Sequence, residues 1–291
     1  MRIARPVQLF IAITVLATAD ASFAQPVKAG DVFKIFSRYE NEEKREDGSS
    51  SSSGQTAIIE RVIRVDERGL ELEYDEFPAE DGTKKGANWQ LPARIFRPFE
   101  GEPSLLNTEE LESRVDPWLK KAKFPRAACG QWIFTWNAFK IECDPVSALG
   151  IVKQYDLWTW ISDRMPYSDP YASAPSPIRL RTSNAEGATY TVELAVDPEK
   201  VRLAEAESEV VVGKIMGDNK SLEDALLNQA DRKISGIMSV EIETDPAGLI
   251  VKKTTVTKLD IAKSDGDVES RTSTVTVERE RLPASALPQP Q

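Results

Sequence analysis

Alternation of apolar and polar side chains dominates both ends of the chain. Phe33, Ile35 and Tyr39 lie two or four residues apart between polar neighbours, and Leu70, Leu72 and Tyr74 alternate with glutamates. A period of two puts each set on one face of a half-buried strand. Residues 59–65 read as a further strand, with Asp66-Glu67-Arg68-Gly69 as a turn. Trp89, Leu91, Ala93 and Ile95 alternate after an Asp81-Gly82 turn, and Pro92 confines that strand to an edge or a bulge. The charged residues 40–47 are followed by Gly48, five serines and Gly54, a composition that predicts a flexible hairpin loop or linker. Strands over about 236–244, 249–261 and 268–280 make a second meander, turned by Asp245-Pro246-Ala247-Gly248 and Asp265-Gly266-Asp267.

The middle of the chain changes period. Asn107 or Thr108 caps a short helix carrying Leu111 and Val115, which ends before Pro117; Pro117 then suits the first turn of a second short helix with Trp118 and Leu119. Cys129 and Cys143 bracket a hairpin. If they oppose one another, the same register opposes Gln131 to Ile141, Ile133 to Phe139 and Phe134 to Ala138, leaving the three-residue loop Thr135-Trp136-Asn137. Asp144-Pro145 opens a helix to about Gln154. A strand follows, with Tyr155, Leu157, Thr159 and Ile161 on one side and Trp158 and Trp160 on the other. Pro166, Pro170, Pro175 and Pro177 make the next stretch extended and irregular, and 164–178 is where a domain boundary would fall. A strand over 189–196 precedes Asp197-Pro198, the cap and first turn of a helix to about Met216; Ser221 with Asp224 starts another, ending near Arg232. These elements predict an α+β fold. The two meanders join in one antiparallel sheet, curved toward a half-open barrel, with helices on one face. The expected organisation is a single domain over 25–282, with a disordered tail from Pro283.

The first 24 residues add the compartment. Arg2 and Arg5 precede an apolar run over 7–19, and Ser22-Phe23-Ala24 supplies small residues for cleavage after Ala24. The run is about 13 residues long against the roughly 20 needed to span a bilayer, so a removed export signal is expected rather than an anchor. The mature protein is then periplasmic or secreted, and no second long apolar segment makes it an integral membrane protein. In an oxidising compartment Cys129 and Cys143 are expected to bridge. There is no histidine, which excludes Ser-His-Asp and Cys-His nucleophiles and histidine-bearing zinc sites, while carboxylate-only chemistry survives. A formal net charge of −10 argues against nucleic acid, which needs an excess of Lys and Arg. No cofactor or metal is expected.

The candidate ligand-binding residues are aromatic. Trp132, Phe134 and Trp136 share a face of the hairpin with Trp136 at its tip, and Trp158 and Trp160 share a face of the later strand. Such rings form either core or a surface for acyl chains or sugar faces. Glu205, Glu207 and Glu209 offer carboxylates for metal binding or acid–base work, but charges alternating on a helix more commonly form a solvated face. Asn219-Lys220-Ser221 is a formal glycosylation acceptor, and the segments around Pro166-Tyr167 and Pro170-Tyr171 offer an extended peptide. The segment Cys143-Asp144-Pro145-Val146-Ser147-Ala148-Leu149 and the stretch from Ser235-Gly236 to Gly248-Leu249 resemble an uncharacterised family of exported, periplasmic proteins of Gram-negative bacteria, from which no activity or site residue transfers. In architecture, a signal peptide followed by antiparallel meanders resembles the periplasmic lipoprotein carriers, whose half-open barrels shelter acyl chains under covering helices. That resemblance implies a non-enzymatic protein binding lipid or lipoprotein acyl chains in an apolar concavity. The alternatives are a glycan-binding or carbohydrate-acting envelope protein using exposed tryptophans, and a structural protein contacting another envelope component.

Overall fold

The computed structural model describes residues 27–78, 88–134, 138–263 and 266–283. Most of the period-two segments form strands, and the longer segments between the meanders form helices. The N-terminal meander is β1 (Val32–Arg45), β2 (Gly48–Asp66), β3 (Gly69–Glu76), β4 (Ala93–Pro98) and the short β5 (Ser104–Leu105). Then come α1 (Thr108–Ala122), the hairpin β6 (Trp132–Phe134) and β7 (Ala138–Lys140), α2 (Ser147–Lys153), and the two-residue strands β8 (Pro166–Tyr167) and β9 (Ser176–Pro177). β10 (Arg179–Asn184), β11 (Gly187–Ala195), α3 (Pro198–Met216), α4 (Leu222–Leu227), β12 (Lys233–Thr244), β13 (Ile250–Ala262) and β14 (Val268–Leu282) complete the chain.

The fold is α+β. Among the described residues ten strands make one antiparallel sheet, in the order β10-β11-β12-β13-β14-β1-β2-β3-β4-β5. The join between meanders is β1 against β14, from Val32 opposite Leu282 to Lys44 opposite Ser270. The sheet does not close, and β10 and β5 are its edges. Its register places Phe33, Ile35, Ile58, Leu72, Tyr74, Ile95, Val277, Val240 and Ile242 on one face, all buried. A one-residue slip would turn that whole set to solvent, so burial specifies the pairing.

Several expectations need correction. The serine tract is not a loop. β1 and β2 stay paired to Arg45 opposite Gly48, so residues 49–53 lie opposite residues 40–44 and only Glu46-Asp47 turn. Serine is a poor strand former, but β1 is bonded to β14 as well as to β2, and composition does not report that non-local pairing. Pro117 does not divide the helix; α1 runs through it. Leu111, Val115 and Leu119 recur at four-residue spacing and are buried, and that continuous face outweighs a missing backbone donor. Tyr155 to Ile161 is not a strand but an extended strap with no ladder pairing over 156–162. Further changes are smaller: β10 was not anticipated, α2 begins at Ser147, α4 stops at Leu227, and the strand after Pro92 begins at Ala93, beyond a cis Leu91-Pro92 bond.

Other local readings hold. The hairpin has Trp132 opposite Lys140, Ile133 opposite Phe139 and Phe134 opposite Ala138, and a Cys129–Cys143 disulfide closes it. Asp197 accepts a hydrogen bond from the Glu199 N–H with Pro198 in the first turn of α3. Ser221 Oγ accepts from the Asp224 N–H at the start of α4. No helix among the described residues is long and apolar enough to cross a membrane. The expected signal peptide and cleavage site, and the tail beyond Pro283, lie outside the described residues.

Candidate functional site

The strap from α2 to β8 crosses the covered face of the sheet near the turns β2–β3 and β12–β13, and encloses a cleft of about 180 Å³. The sheet contributes Leu70, Arg97, Pro98 and Ile250; Gly248 and Leu249 come from the β12–β13 turn, and Val27 and Phe99 also line the cleft. The strap contributes Leu157, Trp158, Thr159 and Trp160, with Met165 beyond them. The wall is predominantly apolar. Its one formal charge, Arg97, is already engaged, donating to Asp156 Oδ2 at 3.2 Å and to the Pro98 and Trp158 carbonyls at 2.8 and 3.1 Å. Asp156 Oδ1 in turn accepts from the Trp158 N–H at 2.8 Å. These bonds anchor the strap at Asp156 and Trp158 where ladder bonds are missing; Trp158 is half-buried and Trp160 exposed.

Behind Trp158 lies a buried polar cluster. Tyr74 Oη donates to Glu60 Oε2 at 2.5 Å, and Trp158 Nε1 donates to the same oxygen at 2.7 Å. Arg279 Nη2 stands 3.3 Å from Glu60 Oε1, and both side chains are almost completely buried. The Arg279 guanidinium stacks 4.0 Å from the Trp158 ring and 5.2 Å from the Phe33 ring, and Phe33 meets Trp158 edge-on at 6.2 Å. Burial pushes the Glu60 carboxyl above its ordinary range despite the opposing pull of Arg279 and two donated hydrogen bonds. Burial first, then the Glu60 charge, holds the Tyr74 hydroxyl well above its usual value. The sequence did carry a signal for this cluster: Glu60 occupies the apolar phase of its strand, between Ile58 and Val62, and Arg279 the same phase after Val277.

The structure separates the aromatic candidates. Trp158 and Trp160 line the cleft, together with Leu157 and Thr159, which were expected on the opposite side. Trp132 and Phe134 belong to the hairpin that packs on α3; Trp132 is half-buried, Phe134 is exposed, and neither lines the cleft. Trp136 lies outside the described residues. The glutamates of α3 are not an open metal or acid–base site. Glu205 pairs with Arg271 and Arg232, while Glu209 accepts from Lys220, Asn228 and Gln229. The Lys220 hydrogen bond leads in holding the Glu209 carboxyl below its usual range. Glu207 faces solvent as expected, whereas Glu205 and Glu209 are only partly exposed and tie α3 to β14 and to the segments flanking α4. Among the described residues no cluster of His, Cys, Asp or Glu has metal-site geometry. Ser221 of the glycosylation triplet is the α4 cap. Tyr167 is in β8, with Lys253 Nζ 5.7 Å above its ring. A larger depression of about 650 Å³, on the opposite face near β10, is walled mainly by Arg179, Arg181, Glu193, Ser239, Glu241 and Thr254, without a convergent apolar wall.

No family model matches the chain, and no curated protein sequence matches it. Among solved structures, a domain from Vibrio parahaemolyticus described as an outer-membrane lipoprotein-sorting protein aligns over 88% of this chain and 87% of its own, at 7% identity and a TM-score of 0.18. A bifunctional dehydratase-cyclase domain of ambruticin biosynthesis aligns over 84% of this chain and 76% of its own, at 12% identity and a TM-score of 0.11. At those scores neither likeness decides the fold or the activity of this chain, and the cleft has to be interpreted from its own residues.

Proposed function

We propose that this is an exported, non-enzymatic binding protein that takes the end of one acyl chain into the cleft beneath the strap. The observation that carries the reading is the cleft itself. Leu70, Leu157, Trp158, Trp160, Leu249 and Ile250 face a common space, and the single cation among the lining residues is satisfied by Asp156 and backbone carbonyls. A wall of that kind gains from excluding water and offers little to a ligand made of hydroxyls. The volume limits the ligand. An engineered apolar cavity of about 150 Å³ holds benzene, and drug-sized pockets start near 300 Å³. A cleft of about 180 Å³ therefore suits a few methylenes, the terminal segment of one chain rather than a whole lipid. The Cys129–Cys143 bridge supports an oxidising compartment.

The test is isothermal titration calorimetry with straight-chain alcohols of four to ten carbons. Affinity should rise by about 0.8 kcal/mol per added methylene, roughly fourfold, until the cleft is full, and then level off. Trp160→Ala should weaken the best alcohol at least fivefold. An affinity independent of chain length, or one insensitive to Trp160→Ala, would remove the acyl reading. A glycan reading has one observation in its favour, the exposure of Phe134 beside Trp132 on the hairpin. It would be supported if Phe134→Ala lowered retention on immobilised oligosaccharide without altering alcohol binding.

A further inference from the structure

The Arg279–Glu60 pair is not explained by stability. A guanidinium has five donors in a rigid fork, and burying one is costly unless acceptors meet them. Among the described residues none of Arg279 Nε, Nη1 and Nη2 has a hydrogen-bond partner, and neither does Glu60 Oε1. The two side chains are near enough for Coulomb attraction, at 3.3 Å, but no hydrogen bond forms between them. The fork is therefore charged and desolvated, held by attraction to Glu60 and by the Trp158 and Phe33 rings, with its hydrogen-bonding capacity unmet. Its position gives it a use. The ring that covers Arg279 at 4.0 Å belongs to Trp158, and Trp158 also lines the cleft. Trp158 thus borders both the apolar cleft and the cation, on a strap without ladder bonds.

Resting on the acyl-binding reading, we infer that Arg279 anchors a carboxylate at the end of the bound alkyl chain, the ligand replacing Glu60 as counter-ion while Glu60 takes up one proton. The ligand class is accordingly an unesterified fatty acid. Charge balance requires the proton. Arg279 and Glu60 together are neutral, so an added anion would leave a buried net negative charge, which is expensive in a low dielectric. With Glu60 protonated the site is neutral again, and its hydroxyl becomes a donor for the incoming carboxylate. The other groups facing the cluster allow this exchange. Tyr74 on β3 remains an uncharged donor, Arg281 on β14 is paired with Asp31 at 2.8 Å, and Arg97 on β4 is paired with Asp156 of the strap. None of these supplies a free charge that would substitute for the proton.

The experiment compares octanoate with 1-octanol by calorimetry at pH 6 and pH 8, using the whole mature protein. Octanoate should bind at least tenfold more tightly than octanol at pH 6. That advantage should shrink toward pH 8, by up to tenfold per unit where Glu60 is ionised, while octanol binding stays constant. Arg279→Met should abolish the preference and leave octanol affinity within twofold. Glu60→Gln, which keeps the fork and removes the proton step, should retain the preference and lose its pH dependence; it decides the matter if Arg279→Met does not fold. Equal binding of acid and alcohol by the unaltered protein, with octanol bound, would overturn the anchor and leave the acyl reading intact. Binding of neither would overturn both.

Discussion

Replacing Arg279 by methionine isolates the cost of the buried carboxylate. The substitution keeps an unbranched side chain between Phe33 and Trp158 but removes the charge 3.3 Å from Glu60. At an effective dielectric near 20, that separation corresponds to about 5 kcal/mol of attraction. The cation–π contact adds about 2 kcal/mol, of which a thioether over the same ring restores about 1. Relief of the arginine's own desolvation offsets part of the loss. A net destabilisation of about 3–5 kcal/mol is expected at pH 8, the usual result of breaking a buried pair from one side. The loss should then depend on pH in a definite direction. Burial already raises the Glu60 carboxyl, and removing Arg279 removes the leading influence that lowers it. The native state then binds a proton over a range where the unfolded carboxyl, near 4.3, does not. Stability must fall as pH rises through that window and recover as pH falls through it. Urea denaturation followed by circular dichroism at pH 8 and pH 5 should show most of the deficit gone at pH 5. A deficit equal at both values, or none at pH 8, would refute the placement of Glu60 and Arg279 in one dry cluster.

Other expectations test separate parts of the fold. Replacing Cys129 and Cys143 by alanine opens a loop with a sequence separation of 14, and should cost about 3 kcal/mol in urea denaturation. Gly69→Ala places a Cβ against the Arg97 carbonyl where β3 pairs with β4, so a loss of about 1–3 kcal/mol is expected from overpacking, measured by thermal melting. Asp197→Ala removes the side-chain acceptor at the start of α3 and should cost about 1 kcal/mol, while Asp197→Asn should recover most of it.

Local chemistry was legible along the chain, and non-local chemistry was not. The Cys129–Cys143 register followed from hairpin geometry alone, and the Asp197-Pro198 and Ser221 caps from their hydrogen-bonding needs. Alternation stayed legible in β12, where Met238, Val240 and Ile242 are buried between more exposed neighbours. The serine tract misled because its order comes from strands distant in sequence, with β14 on the far side of β1. Pro117 misled because the burial of Leu111, Val115 and Leu119 is a tertiary effect that overrides propensity. The cleft was half legible. Trp158 and Trp160 were singled out for their chemistry, but on a strand; alternation put Leu157 and Thr159 on the other face, whereas an unpaired strap turns all four toward one space. The Glu60–Arg279 cluster was visible only as two charged residues in apolar phase, and pairing them required the β1–β14 and β1–β2 registers.

The central claim, that an alkyl chain lodges beneath the strap, is tested most directly by locating the chain. A fatty acid carrying a nitroxide near its methyl end would be titrated into ¹⁵N-labelled protein, with amide signal attenuation as the readout. Attenuation should centre on Phe99, Trp160 and Gly248 to Ile250, and should reverse on reducing the nitroxide. Attenuation centred on Trp132 and Phe134, or none at any amide of the cleft, would contradict the account.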